Sequence, residues 1–266
     1  MEIQALNHND VNLLHDLQPD GWPDITPNFY FYTASPFCFP IKIIIDGKIA
    51  GIGAAIIHHE IAWLGHIIVH AEQRGKGIGS YITETLIDIA KQHNCQTINL
   101  IATGLGAPVY EKAGFTTETE YLFFKDINLG KQPAFSPHIK PYGKAFREQI
   151  AETDHLTSQE DRMFFFEEHL AGGFVYCSNN IVEGFYLPTL GEGLIIANTA
   201  PAGIELLRLH LNTNNKVAFP KDNLHAVTFL YEKGFKEFRT AKRMRLGKSS
   251  NVRLSNIYNR IAGNIG

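Results

Sequence analysis

Hydrophobic and polar positions along the first 126 residues follow two periods in turn. In NHNDVNLLHDLQ, residues 7–18, Val11, Leu14 and Leu17 fall on one side of a short helix. The aromatic, proline-broken stretch GWPDITPNFYFYTASPF predicts a loop or irregular helix. IKIII and IAGIGAAII, joined through Asp-Gly-Lys, predict a β-hairpin, and AWLGHIIVH predicts a further strand. A glycine-rich loop follows. Beyond it Ile82, Leu86, Ile89 and Ala90 stand at i, i+4, i+7 and i+8, one face of a helix ending near Asn94. QTINLIA predicts a strand, GAPVYEKAGF a short helix stopped by Gly114, and EYLFFKDI another strand.

The order then recurs. INLGKQPAFSPHIKPYG holds three prolines and reads as a connector. TSQEDRMFFFEEHL predicts a helix introduced by a capping box from Thr157 to Glu160 and stopped by Gly172 and Gly173. GFVYCS, IVEGFYL and EGLIIAN predict strands and GIELLRLHL a helix; KVAFP, DNLHAVTFLYEKGF and EFRTAKRMRL complete the series as strand, helix and strand. VYEKAGF at 109–115 is echoed by FLYEKGF at 229–235. These patterns predict two related α/β domains, residues 1–127 and 140–266, with a linker over 128–139. The last twenty residues match no element of the repeat.

Composition narrows the field. The 24 Lys+Arg against 27 Asp+Glu leave a net charge of −3, with no field to draw nucleic acid or a membrane surface. Cys38, Cys95 and Cys177 are odd in number, widely spaced and match no zinc pattern, so reduced thiols and a cytoplasmic location are expected. The N-terminal residues lack the basic start and apolar core of a signal peptide. No apolar run approaches the roughly 18–20 residues of a membrane span.

The loop itself, EQRGKGIGSYITETL at 72–86, carries the chemistry. Gly75, Gly77 and Gly79 free the backbone to turn its N–H groups to one side, and the helix that follows adds unpaired amides and the positive end of its dipole. Arg74 and Lys76 add charge, which makes a phosphate site. The spacing is neither Gly-x-Gly-x-x-Gly nor a P-loop ending in Gly-Lys-Ser/Thr.

Residues 61–80, IAWLGHIIVHAEQRGKGIGS, resemble the acetyl-CoA-binding motif of the GCN5-related N-acetyltransferases, Gln/Arg-x-x-Gly-x-Gly/Ala, in its common RGxGxG form. GAPVYEKAGF resembles the family's later helix bearing a tyrosine before Gly-Phe. The resemblance extends over residues 1–126, with a weaker copy over 140–247, as in bacterial proteins with two such domains in tandem. It implies a mixed, mostly antiparallel twisted sheet flanked by helices in each domain.

The resemblance also implies roles. The pyrophosphate of coenzyme A would lie on the amides of Arg74, Gly75, Lys76, Gly77, Ile78, Gly79 and Ser80. The strand edge at Ile67, Ile68 and Val69 would pair with the pantetheine arm. Thr103 stands where the family often has an asparagine that contacts that arm, and Gly104 and Gly106 allow close approach. Tyr110 would be the acid that protonates the departing thiolate. For the base, the strand before the loop offers Glu60 and His66; alternation puts His66 on the face opposite Gly65 and Ile67 unless a bulge re-aims it. His58 and His59 are adjacent on a strand and point to opposite faces, so no metal is expected. The implied activity is direct transfer of acetyl from acetyl-CoA to a primary amine of a small molecule, with the C-terminal domain helping to form the acceptor site. Two alternatives stay open: a non-catalytic acyl-CoA sensor, and transfer to a protein or peptide amine.

Counting back from the glycine of Gly-Phe compares the halves. Offsets −11, −8 and −4 hold Thr103, Gly106 and Tyr110 in the first, and Asn223, Ala226 and Leu230 in the second. Tyr231, adjacent, is turned about 100° around the helix. The segment IIANTAPAGIELL has no basic residue, and Pro201 removes an amide. The second half is therefore expected to be degenerate, without productive coenzyme binding. Asp161 and Arg162 either line an acceptor pocket, with the aromatics of FYFYTASPF, or form a solvated helix end. Arg239, Lys242, Arg243 and Arg245 read as a solvated face.

Overall fold

In the computed structural model, which describes residues 1–249 and 251–265, the chain forms two units. The first comprises Met1–Glu118, Arg243–Ser249 and Gly263–Gly266; the second comprises Thr119–Lys242 and Ser250–Ala262. Both are mixed α/β. Among the described residues no helix is long and apolar enough to cross a membrane.

The first unit opens with β1 (Glu2–Ala5), a 3₁₀ segment at His8–Leu17 and α1 (Thr26–Ala34). Val11, Leu14 and Leu17, three apart, are all buried, as a helix of three residues per turn requires. Next come β2 (Cys38–Ile45), β3 (Lys48–His58), β4 (Ile61–Val69), α2 (Ile78–Gln92), β5 (Thr97–Ala102), α3 (Ala107–Lys112) and the start of β6 (Thr116–Phe124). Asp46 and Gly47, at φ 49° and 77°, make the two-residue turn between β2 and β3. Strands β1 to β4 are antiparallel neighbours, and β5 joins β4 in parallel.

One close contact seats α2. A Cβ on Gly51 or Gly53 of β3 would come within 2.8 Å of the Ile82 side chain, so the bare strand lets the helix settle onto it. Ile78, Ile82, Leu86 and Ala90 are buried there with Ile43, Leu64, Ile98 and Leu100, each large side chain contributing roughly 1.5–3 kcal/mol.

The second unit contains β7 (Ile139–Pro141), α4 (Arg147–Ser158), α5 (Met163–Phe166), β8 (Phe174–Ser178), β9 (Ile181–Leu187) and β10 (Leu194–Ala197). It continues with α6 (Ala200–Leu211), β11 (Val217–Pro220), α7 (Leu224–Glu232), the start of β12 (Arg239–Gly247) and β13 (Ile257–Asn259). One sheet runs β13-β10-β9-β8-β7, and β11 pairs with the Tyr121–Phe124 part of β6. Its core gathers Leu206, Leu207, Phe219, Leu230 and Tyr258.

Two local expectations change. The helix expected from a capping box at Thr157 is not there: α4 ends at Ser158, with Gln159 in the left-handed region at φ 62°. The turn carries Arg162 back onto Asp154, a buried bidentate pair (Nε to Oδ2 3.1 Å), and leaves only four residues for α5. Arg162 is therefore no solvated helix end; Asp161 is exposed.

The cationic row on β12 is solvated only in part: Arg239 is exposed, whereas Arg243 is buried. Arg243 and Arg245, on one side of the strand, both donate to Glu118 (3.0 and 2.8 Å), and the Arg243 guanidinium lies 4.8 Å from the Trp63 ring. Arg239 lies over Phe123 in the second unit, 4.2 Å from its centroid.

Removing one partner of the Asp154–Arg162 pair strands a buried charge. Asp154→Ala is expected to cost about 3–5 kcal/mol in urea unfolding, well beyond an exposed Asp161→Ala control.

Candidate functional site

Side chains and backbone amides of the glycine loop differ in their bonding: Lys76 Nζ donates to Gln73 Oε1 (2.9 Å), while the amides are left without partners among the described residues. The first helical hydrogen bond of α2 runs from Tyr81 N–H to Gly77 C=O (3.0 Å), and the amides of residues 75 to 80 find no acceptor among the described residues. Gly75 and Gly77 sit at φ 76° and 82°, a conformation L side chains avoid, and a Cβ at either would meet open space. Gly79 is different: its φ is helical and a Cβ would make only an ordinary 3.7 Å contact with Val69. Six unbonded amides thus lie at and just before a helix N-terminus, beside exposed Lys76 and Arg74, whose guanidinium donates to Val69 C=O (3.2 Å). A phosphate fits such a cradle.

A free strand edge adjoins it. β4 and β5 pair in parallel from Ile61–Thr97 to Trp63–Asn99 and then stop, while β4 runs on to Val69. Its last residues, Ile67, Ile68 and Val69 among them, keep one edge unpaired toward β5. An amide-bearing chain can add there as a strand does.

His66 owes its position to a bulge. Ile52 faces Ile68 and Ala54 faces Gly65, so Gly53 alone opposes both His66 and Ile67. His66 takes φ 51° and turns out of the alternation. Its ring lies among Trp22, Phe29 and Tyr32, with centroids 6.2, 5.7 and 5.7 Å away, and its Nδ1 is 2.8 Å from the Tyr32 hydroxyl. Burial lowers its pKa from the ordinary 6.5 to about 4.

Tyr110, on α3, rests against Phe115 (centroids 6.0 Å apart) and over Gly106, where a Cβ would come within 2.8 Å of the ring. Burial pushes its pKa up to about 12, so the hydroxyl stays protonated. Thr103 is exposed in the turn before α3: its carbonyl accepts from Gly106 and Ala107 N–H, both 3.0 Å, and its Oγ1 accepts weakly from Gly106 N–H at 3.4 Å. Glu60 is not brought to this place. It sits on the exposed turn at the other end of β4, six residues and roughly 20 Å along the strand from His66.

The segment from 251 to 265, which sequence reasoning left without a place, occupies two functional positions. In the second unit β10 and α6 stand where β4 and α2 stand in the first. There the edge of β10 is filled: β13 pairs with it antiparallel, Asn259 with Ile195 and Ile257 with Ile196. Asn259 also accepts from Ala218 N–H of β11 (2.9 Å), and Tyr258 packs so closely on Gly203 of α6 that any Cβ would collide with its ring. The α6 N-terminus is closed by Thr199, which accepts from Ala202 N–H and donates to Glu183 (2.7 Å). Asn223 caps α7 and donates to Ile257 C=O (3.0 Å); Leu230 is core; Tyr231 points to Glu237 (2.8 Å). Further on, Asn264 belongs to the first unit. It lies against Gly65, leaving no room for a Cβ there, and its amide nitrogen donates to the Tyr32 hydroxyl (2.5 Å).

A sequence model described as the acetyltransferase (GNAT) family matches residues 9–115, the stretch holding the loop, the free edge and Tyr110. No curated protein is matched by the chain. Among solved structures, a candidate acetyltransferase from Pyrococcus horikoshii is 21% identical, with a TM-score of 0.83 over 100% of this chain and 95% of that one. A GCN5-related N-acetyltransferase from Sphaerobacter thermophilus is 13% identical, with a TM-score of 0.65 over 96% and 98%. A tandem GNAT protein from the clavulanic acid biosynthesis pathway is 13% identical, with a TM-score of 0.61 over 94% and 99%. At these identities the likeness is one of fold, and it runs the length of the chain.

The depressed pKa of His66 makes stability depend on pH. Its proton binds the unfolded chain more tightly, so the contribution is complete above about pH 6.5 and lost as pH falls toward 4. Between pH 7 and 4 the protein should lose roughly 3 kcal/mol more stability than His66→Gln, read from denaturant melts of both.

Proposed function

We propose that the first unit, in which residues 9–115 match the acetyltransferase (GNAT) family model, transfers the acetyl group of acetyl-CoA directly to a primary amine of a small molecule. Acyl transfer is the family's chemistry; acetyl-CoA as donor and a small amine as acceptor are the finer reading. The observation that carries it is the run of unbonded amides at residues 75 to 80, placed at the end of an unpaired strand edge. A long cofactor with a diphosphate at one end and two amides along its arm needs both features in that order.

Bound there, acetyl-CoA supplies the acetyl group and departs as the thiol. Arg74 to Ser80 would hold its pyrophosphate, with Lys76 adding charge from an exposed position. Ile67, Ile68 and Val69 would bond the arm through their backbone, and Thr103 and Gly106 line the approach to α3. Alignment of the two reactants is worth several kcal/mol by itself. Tyr110, kept protonated by burial, holds a proton at Oη for the leaving sulfur. Glu60 has no part in this reading. His66 is neutral across the physiological range and too weakly basic to hold a proton there. The second unit binds no coenzyme in this scheme, since its own chain fills the equivalent edge.

Gly79→Asp separates binding from folding. An aspartate in the first turn of α2 favours the helix and has room, yet it sets a negative charge against a bound diphosphate. Calorimetric titration should give one acetyl-CoA site per chain, with affinity lowered at least tenfold in Gly79→Asp at unchanged melting temperature. Equal affinity in the variant would remove the loop from coenzyme binding.

Tyr110→Phe should lower turnover about 10²-fold while the coenzyme affinity holds. Coenzyme release measured over a panel of small amines reads this directly, and full turnover in the variant would exclude Tyr110 as the acid. Tight binding with no acetylation of any amine would favour an acyl-CoA sensor.

A further inference from the structure

The Tyr32 hydroxyl has one hydrogen and two neighbours. Asn264 Nδ2 donates to it at 2.5 Å, and His66 Nδ1 lies 2.8 Å away. An oxygen that accepts from the amide has its own hydrogen to give, and the remaining neighbour is the imidazole nitrogen. The direction of both bonds is then set: Asn264 to Tyr32, and Tyr32 to His66. Tyr32 is fully buried, and burial holds its pKa well above the ordinary 10, so that hydrogen is present at any physiological pH.

A neutral imidazole carries one hydrogen. With Nδ1 accepting, it sits on Nε2. His66 is kept neutral by burial, and its Nε2 bonds to no other residue among those described. The ring is half-buried at the bulge of β4, next to the open edge. What it offers a ligand is therefore an N–H.

We infer that Asn264 and Tyr32 are positioning residues that hold His66 as its Nε2–H tautomer, and that the acceptor carries a carbonyl, carboxylate or hydroxyl oxygen near its amine, bound by that N–H. The substrate half of this rests on the acyl-transfer reading above; the tautomer half does not. A plain alkylamine or polyamine offers such a donor only the nitrogen lone pair that its attack on the thioester requires, so a productive complex gains nothing from it. An amino acid derivative or an amino sugar does. The contact with Gly65 supports the assignment: the strand gives up a side chain so that Asn264 can reach the tyrosine, which a mere surface tail has no need of.

The test uses the full chain labelled with ¹⁵N-histidine. Long-range ¹H–¹⁵N spectra at neutral pH distinguish the two tautomers, and His66→Gln identifies the His66 signals. The wild type should show Nε2–H. Asn264→Asp should invert it, because a carboxylate only accepts: Tyr32 then donates to Asp, and His66 Nδ1–H donates to Tyr32. An Nδ1–H tautomer in the wild type, or one unchanged in Asn264→Asp, overturns the positioning roles. Tyr32→Phe, which keeps the ring, serves as the second variant and should release the lock.

The substrate half is read with leucinamide and isoamylamine, one skeleton with and without the carboxamide. Leucinamide should have the higher kcat/KM, and His66→Ala should raise its KM about tenfold at similar kcat, a clearly larger loss than isoamylamine shows. Equal kcat/KM for the two amines, or equal loss in the variant, overturns it. A chain that binds acetyl-CoA and acetylates no amine sinks the acyl-transfer reading and the substrate half together, while the spectra still decide the tautomer.

Discussion

The seating of α2 on the bare backbone of β3 is the constraint from which the first unit's geometry follows. Two glycines bring the helix within side-chain contact of the strand, and Ile82 and Leu86 fill the space that Cβ atoms would have taken. That fixes where the helix begins. Its N-terminus arrives at the end of β4, where six amides stand unbonded, and the same strand has by then left β5. An anion site and a strand-edge site are thereby placed in series. Neither alone would select a long cofactor.

Much of this is legible in the residues. Periods of two and of three to four identify the strands and helices around the loop, Asp46-Gly47 marks the hairpin, and alternate glycines mark the loop itself. The bulge at His66 is not legible, because it depends on how β3 and β4 register across Gly53. Arg162 misleads for a related reason: a Thr-x-x-Glu pattern suits a helix start, but a buried carboxylate eight residues earlier pulls the chain back before a helix can form. Arg243 and Arg245 look solvated until Glu118, more than a hundred residues away, is brought beside them. Each miss is a tertiary pairing, eight to more than a hundred residues apart, that local pattern does not encode.

The two halves show one architecture put to opposite uses. In the first, the edge beyond Trp63 is left open and the helix amides are left bare. In the second, β13 occupies the corresponding edge, Tyr258 covers the start of α6, and Thr199 with Glu183 satisfies its end. The loss of basic residues and the gain of Pro201 fit a helix terminus that no longer meets an anion. A filled edge of this kind also adds to the core: Tyr258 is fully buried among Leu206, Phe219 and Leu230.

The placement of Asn264 has a consequence for how the molecule is made. Synthesis runs from the N-terminus, and domains generally fold as they emerge. The sheet and helix of residues 1–118 leave the ribosome first, yet the strand carrying Arg243 and the amide that orients Tyr32 come more than a hundred residues later. The half of the chain that emerges first is finished last. Until residue 264 arrives, Tyr32 lacks its amide donor and His66 is free to take either tautomer; in the proposed scheme a nascent or cleaved chain would hold coenzyme before it could orient an acceptor.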